Sequence, residues 1–151
     1  MARVLVPVDG SAHDSKTLQF LHQLLAEKSD LQVTLLHVGE SRTFATTGLE
    51  MEGMPVFLSA TDFEAQQQRQ YDAAKSILAS AQAEAQRLGL NATGMVRWGD
   101  PMTIILQIIE VGTFDLVAMG SRGAGRIASI FLGSVSDRLA HRSQVPVLIV
   151  H

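Results

Sequence analysis

Three glycines and a serine carry the clearest chemical pattern in the chain: Gly120 and Gly123 are separated by two residues, and after nine more residues come Gly133 and Ser134. A glycine-rich turn leaving a strand lets the backbone approach a ligand closely, because no Cβ intervenes and φ > 0 costs little. The exposed N–H groups of such a turn, with those opening a following helix, are donors for an anion such as phosphate. Residues 114–119 supply the strand and 134–142 the helix. In that helix Val135 and Leu139 share an apolar face, and Arg138 and Arg142 approach the negative C-terminal end. The same residues also serve where a glycine only shapes a turn and a serine only caps a helix, so spacing alone leaves both readings open.

Composition narrows the partners. With 151 residues, 46% hydrophobic and 18% charged, the chain is expected to form a single domain, 1–151, with enough apolar material for a full core. A net charge of −3 argues against nucleic acid, which requires a basic face to displace counterions. With no cysteine, a disulfide framework or a thiolate site is excluded. The apolar run 4–8 is too short for a signal-peptide core or a membrane span, so the expectation is a cytoplasmic protein without membrane insertion.

The elements that must position the glycine motif alternate strand and helix. Residues 4–8 form a near-continuous apolar run, as expected of a strand buried on both faces of a parallel sheet. Asp9, Gly10 and Ser11 close it with turn chemistry. A helix over 11–27 presents Leu18, Leu21, Leu24 and Leu25 toward the sheet. A second strand, 31–38, carries His37 near its end. Over 39–60 the pattern breaks. A structureless connection of that length is uncommon unless it is a lid, a binding loop or partly disordered, and its Phe44, Met51, Met54, Val56, Phe57 and Leu58 predict that part of it packs on the body or on a partner chain. The helix over 62–88 repeats Tyr71, Ala74, Leu78, Ala81, Ala85 and Leu88 at spacings of three and four, a core stripe that Gly89 ends. A third strand spans 91–98. Asp100 as N-cap and Pro101 at the first helical position open a helix over 101–111. Strands over 114–119 and 145–150 flank the motif helix. Five strands and four helices in alternation predict a doubly wound α/β sheet.

In such sheets ligands bind beyond the carboxyl ends of the strands, where strand order reverses. In the order 3-2-1-4-5 that point lies between the first and fourth strands, followed by Asp9-Gly10-Ser11 and Gly120-Ser121-Arg122-Gly123 respectively. Two independent signals thus meet in one crevice. Competing motifs fail on what they need. A P-loop requires Gly-Lys-Ser/Thr, and no Gly-Lys pair occurs. The dinucleotide fingerprint does not follow the first strand. A phosphoacceptor receiver domain would imply paired acids after strand one and a lysine after the last strand, whereas Asp9 is single and the lysines are Lys16, Lys28 and Lys75.

These residues together resemble the universal stress protein family of the ATP-binding type, whose pattern is glycine, two residues, glycine, nine residues, glycine, then serine or threonine. The opening 4–11, Leu35-Leu36-His37-Val38, Gly99-Asp100-Pro101 and the terminal 145–150 are similar to that family too, so the resemblance spans nearly the whole chain. It implies a Rossmann-like sheet of five parallel strands in the order 3-2-1-4-5 with four helices, a homodimer, and ATP between the first-strand end and the glycine motif. By that resemblance Pro7, Val8 and Asp9 lie on the adenosine side, the Val38 backbone near the adenine edge, and Met119 and Gly120 beside the ribose. Gly123, Gly133, Ser134, Val135 and Ser136 would hold the phosphates. Arg122, at a variable position, reaches a phosphate or stands solvated. Asp9 alternatively starts a turn, Ser136 alternatively bonds the backbone, and His37 is read as a strand-end residue beside the pocket, with no second ligand at metal spacing.

The resulting expectation is a nucleotide-responsive stress regulator binding ATP, or ADP or AMP, with Mg²⁺ as a companion, and engaging an unidentified protein partner. Phosphoryl transfer needs carboxylates to hold Mg²⁺, and Asp137 is the acid nearest the motif serine. At most slow ATP turnover or self-phosphorylation is expected, with a nucleotide-free interaction dimer of the same fold as the other alternative. Val145, Val147, Leu148, Ile149 and Val150 leave the last strand almost without a polar face, and as a sheet edge it predicts a homodimer through 145–150, the alternative being that the 39–60 loop of the same chain folds over the edge.

Overall fold

The computed structural model describes residues 2–25, 30–39, 50–51, 54–55, 60–121 and 134–151. In chain order the elements are β1 (Ala2–Pro7), α1 (Ala12–Leu24), β2 (Leu31–Gly39), β3 (Glu50–Met51), β4 (Met54–Pro55), α2 (Ala60–Arg87), β5 (Asn91–Trp98), α3 (Pro101–Val111), β6 (Leu116–Gly120), α4 (Ser134–Arg142) and β7 (Val147–Val150).

Five strands form one parallel sheet ordered β5-β2-β1-β6-β7. This is the expected 3-2-1-4-5 order once the sheet strands are counted by themselves. The apolar runs place β1, β2 and β6 inside: Val4, Leu5, Val6, Val33, Leu35, Leu36, Val117 and Ala118 are all buried. Because side chains alternate between faces, two cores result. One gathers Val4, Val6, Val8, Val33 and Leu35 with Leu18 and Leu21 of α1 and Ala81 and Ala85 of α2. The other sets Leu5, Leu36, Val117 and Met119 against Met102, Ile105 and Ile109 of α3 and Leu139 of α4.

Local signals explain most boundaries. Asp100 accepts the Thr103 N–H at 2.9 Å and the Thr103 hydroxyl at 2.8 Å, a side-chain N-cap with Pro101 behind it. Gly89, at φ +72, ends α2: its N–H bonds Gln86 O at 2.9 Å and the Leu90 N–H reaches back to Ala85 O at 2.9 Å. Ser15 Oγ and Gln19 Nε2 both donate to Glu84 Oε1, fixing α1 against α2.

Several expectations are corrected. Leu24 is exposed, not core-facing. Leu18, Leu21 and Leu25 complete a stripe at i, i+3 and i+7, and Leu24 falls well outside it. Tyr71 is exposed as well, with the Lys75 ammonium 4.9 Å from its ring centre. The core stripe of α2 begins only at Ala74, because the earlier turns carry few residues that pack on the sheet. Strand β7 starts at Val147 rather than at Val145, since Pro146 has no N–H to give the ladder, although its carbonyl accepts from Val117. Within 39–60, β3 and β4 pair antiparallel as a two-stranded ladder, so this connection contains secondary structure of its own. The end of the helix expected over 11–27 lies outside the described residues.

Candidate functional site

The β1–β6 ladder runs only through Val4–Leu116 and Leu5–Val117. On their outer sides β1 stays paired with β2 to Pro7, and β6 stays paired with β7 to Gly120. The two strands therefore diverge two or three residues before they end. That divergence falls where the chain order reverses, the position at which a doubly wound sheet opens a crevice.

On the β1 side the backbone is tightly specified. The Val8 N–H bonds Leu36 O at 2.8 Å, and Val8 O accepts from His37 Nδ1 at 2.8 Å, which places a proton on that nitrogen. Asp9 follows in an Asx turn, its Oδ1 accepting the Ser11 N–H at 3.0 Å. Gly10 takes φ +83, and a Cβ there would stand 3.0 Å from the Ile77 side chain of α2. Both conditions favour glycine. Asp14, in the first turn of α1, turns its carboxylate back onto this loop. It accepts the Asp9 N–H at 3.1 and 3.3 Å and the Gly10 N–H at 2.7 Å. Burial, the neighbouring Asp9 charge adding to it, pushes the Asp14 carboxyl up to about 6, against the pull of those two N–H groups. Ser11 occupies the N-cap position of α1 without capping it, and its buried Oγ has no hydrogen-bond partner among the described residues.

On the other side, Met119 is buried in the second core and Gly120 closes the ladder opposite Val150. The Ser121 N–H bonds Val150 O at 2.8 Å. Ser136 Oγ donates to Ser121 O at 3.2 Å, tying the first turn of α4 to the end of β6. Ser134 is the exposed first residue of that helix, and Val135 leans on the second core. The amides of an α-helix's first turn have no partner within the helix and carry its positive end. They are thereby brought beside the crevice.

Of the residues expected at the site, Pro7, Val8, Asp9, Met119 and Gly120 lie at the diverging strand ends, with Ser134, Val135 and Ser136 opening the adjoining helix. Val38 stands on β2 in register with Arg97 of β5, one strand out from the crevice. Arg122, Gly123 and Gly133 lie outside the described residues. Ser136 uses its hydroxyl on a backbone carbonyl, the alternative role its position in the first helical turn allows. Two features were not legible in advance: the carboxylate of Asp14 behind the Asp9 turn, and the buried Oγ of Ser11. An acid in the first helical turn after Asp-Gly-Ser was the available signal for the former.

A sequence profile described as the universal stress protein family matches residues 1–151, and the chain belongs to that family. It is 30% identical over 148 residues to universal stress protein YxiE of Bacillus subtilis, covering 98% of this chain and 97% of that one. It is 26% identical to universal stress protein MJ0577 of Methanocaldococcus jannaschii, whose solved structure superposes with a TM-score of 0.74 over 98% of this chain and 94% of that one. A family protein from Arabidopsis thaliana, solved with AMP bound, shares the fold at a TM-score of 0.69 and 20% identity, over 99% of this chain and 91% of that one. Solved members in complex with cAMP and with dAMP share it at TM-scores of 0.63 and 0.65.

Proposed function

We propose that this universal stress protein binds an adenine nucleotide, ATP foremost, in the crevice between the ends of β1 and β6. The observation that carries this reading is the early divergence of those strands, with the first turn of α4 fastened beside it through Ser136 and Ser121. The donor set fits such a ligand and orients it. Asp9 and Asp14 place acidic groups beyond β1, and Asp14 already occupies the Asp9 and Gly10 amides, so phosphates are disfavoured there. A carboxylate instead suits ribose hydroxyls, and the buried Ser11 Oγ adds a hydrogen-bonding group nearby. The positive end of α4 and the glycine backbone at 123 and 133 suit phosphates, with Met119 and Gly120 beside the ribose. Solved relatives with AMP, cAMP and dAMP bound support the adenine class. In this reading Arg122 reaches a phosphate, the Val38 backbone meets the adenine edge, and Mg²⁺ accompanies the triphosphate.

The role is regulatory: nucleotide occupancy alters contacts with a second copy and with a protein partner in the cytoplasm. Asp9 and Asp14 stand on the nucleoside side in this reading, and Asp137, exposed on α4, is the acid nearest Ser134 in the chain, which leaves the phosphate end without the paired carboxylates that efficient phosphoryl transfer uses. Two copies pair through β7, whose four residues are all only half buried at the sheet edge. Mass spectrometry of nucleotides released from the purified, denatured protein, with calorimetry of added ATP, tests the reading. Adenine nucleotide or micromolar ATP binding is expected. Neither being found leaves the nucleotide-free dimer.

A further inference from the structure

Both oxygens of the Asp14 carboxylate are spent on the turn that presents Asp9. That turn contains a positive-φ glycine and follows the last ladder pair of β1; Val8 before it and the Ser11 N–H after it are anchored by other bonds, whereas the Asp9 and Gly10 amides are held by Asp14. We propose that Asp14 is a positioning residue for the nucleoside end of the site: ionised, it holds the Asp9 and Gly10 amides and so fixes the carboxyl of Asp9 toward the ligand, and neutral, it keeps one uncharged carbonyl acceptor for both amides and loosens that hold. This rests on the nucleotide-binding reading above.

The surroundings make the device specific. Among the described residues the charged group facing Asp14 is Asp9, in the same turn. From α2 comes the apolar Ile77, against Gly10. From β2 comes His37, committed through Nδ1 to Val8 O. Ionised Asp14 is therefore held by two N–H groups and opposed by burial and by Asp9, a balance close enough to tip near neutral pH. With the carboxyl titrating at about 6, about a tenth of the molecules at pH 5.0 keep it ionised, and apparent affinity falls as the competent fraction does.

The test is adenosine calorimetry at pH 7.5 and 5.0 on the wild-type chain and on Asp14→Asn, with melting curves alongside. Adenosine excludes any contribution from phosphate titration. Expected are an affinity about tenfold weaker at pH 5.0 for wild type, an Asp14→Asn protein weak by a similar factor at both pH values, and no loss of thermal stability in that variant at pH 7.5. A residue serving the fold alone would lower stability and leave no pH dependence in affinity. NMR on the unsubstituted chain gives a second reading: the Gly10 amide proton should move with the Asp14 carboxyl carbon and share its midpoint. Wild-type affinity in Asp14→Asn at both pH values, or a Gly10 amide that ignores the Asp14 titration, overturns the positioning role alone. Failure of the wild type to bind adenosine or ATP at pH 7.5 overturns the nucleotide reading and this one with it.

Discussion

Asp14 Oδ2 lies 2.7 Å from the Gly10 nitrogen, so the helix after β1 grips the loop that leads into it. This contact has a cost that solution measurements can read. The Asp14 carboxyl rises from 3.8 to about 6 on folding, chiefly through burial. Between those values this carboxyl binds more protons in the folded chain than in the unfolded one, so this group makes stability fall as pH rises from about 4 to about 6. Asp14→Asn removes that slope. The expected outcome in urea unfolding is that the stability of the variant relative to wild type grows across this window and is level above it; a difference that does not change with pH contradicts the assignment.

Asp9 is expected to act on the nucleoside. Asp9→Ala should weaken adenosine and ATP by a similar factor, since the group removed faces the portion both ligands share. It also removes the acceptor of the Ser11 N–H, so some of the loss comes from a looser turn. Parallel calorimetric titrations check this, and a sharp loss for ATP with adenosine unaffected would reverse the orientation given to the ligand.

The glycine motif should fail selectively on the phosphates. In the proposed reading the Gly133 backbone approaches the phosphates, so Gly133→Val should obstruct that approach, and each charge-assisted hydrogen bond lost is worth about 1.5–3 kcal/mol. Two such losses take a micromolar site, about −8 kcal/mol, to the millimolar range. The fold should survive, because the β6 ladder and the Ser136–Ser121 bond lie on either side of the substitution. Unchanged ATP affinity in a folded Gly133→Val protein would remove the motif from the site.

Much of this architecture was legible in the sequence because its signals are local. Asp100-Pro101 marks the start of α3, Gly89 ends α2, and β5, α3 and α4 fall on their expected bounds. The 3-2-1-4-5 order followed from strand and helix alternation together with the family resemblance. Where the reading missed, the cause was geometric. Leu24 and Tyr71 were read into apolar helix stripes, yet both side chains are exposed: Leu24 lies off the stripe of Leu18, Leu21 and Leu25, and Tyr71 precedes the first buried residue of α2. The β3–β4 pair has two residues a strand, too short to show alternation. Asp14 reaches backward across a turn to backbone amides, a contact with no periodic trace, and the stretch 122–133, with Gly123 and Gly133 of the motif, lies outside the described residues.

The edge strand makes a prediction about assembly. Val147, Leu148, Ile149 and Val150 remain half buried, and β6 is the strand that pairs with β7 among the described residues. A second copy adding its own β7 antiparallel would satisfy the open ladder and the apolar surface with one self-complementary contact. Sedimentation should show a dimer for wild type and an unstable monomer for a Val147→Glu, Ile149→Glu double variant. A monomeric wild type at high concentration, or an undisturbed dimer in the variant, would defeat it.

Backbone amide NMR during titration with ATP tests the central claim most directly, because it reports both binding and place. Shifts concentrated at Asp9, Gly10, Ser11, Val38, Gly120, Ser121 and Ser134 to Ser136, with Gly89 and Ser143 at the opposite strand ends unmoved, are the expected result. A saturating titration that leaves the amides around the β1–β6 divergence unchanged, or that moves those at the other end of the sheet, would contradict it.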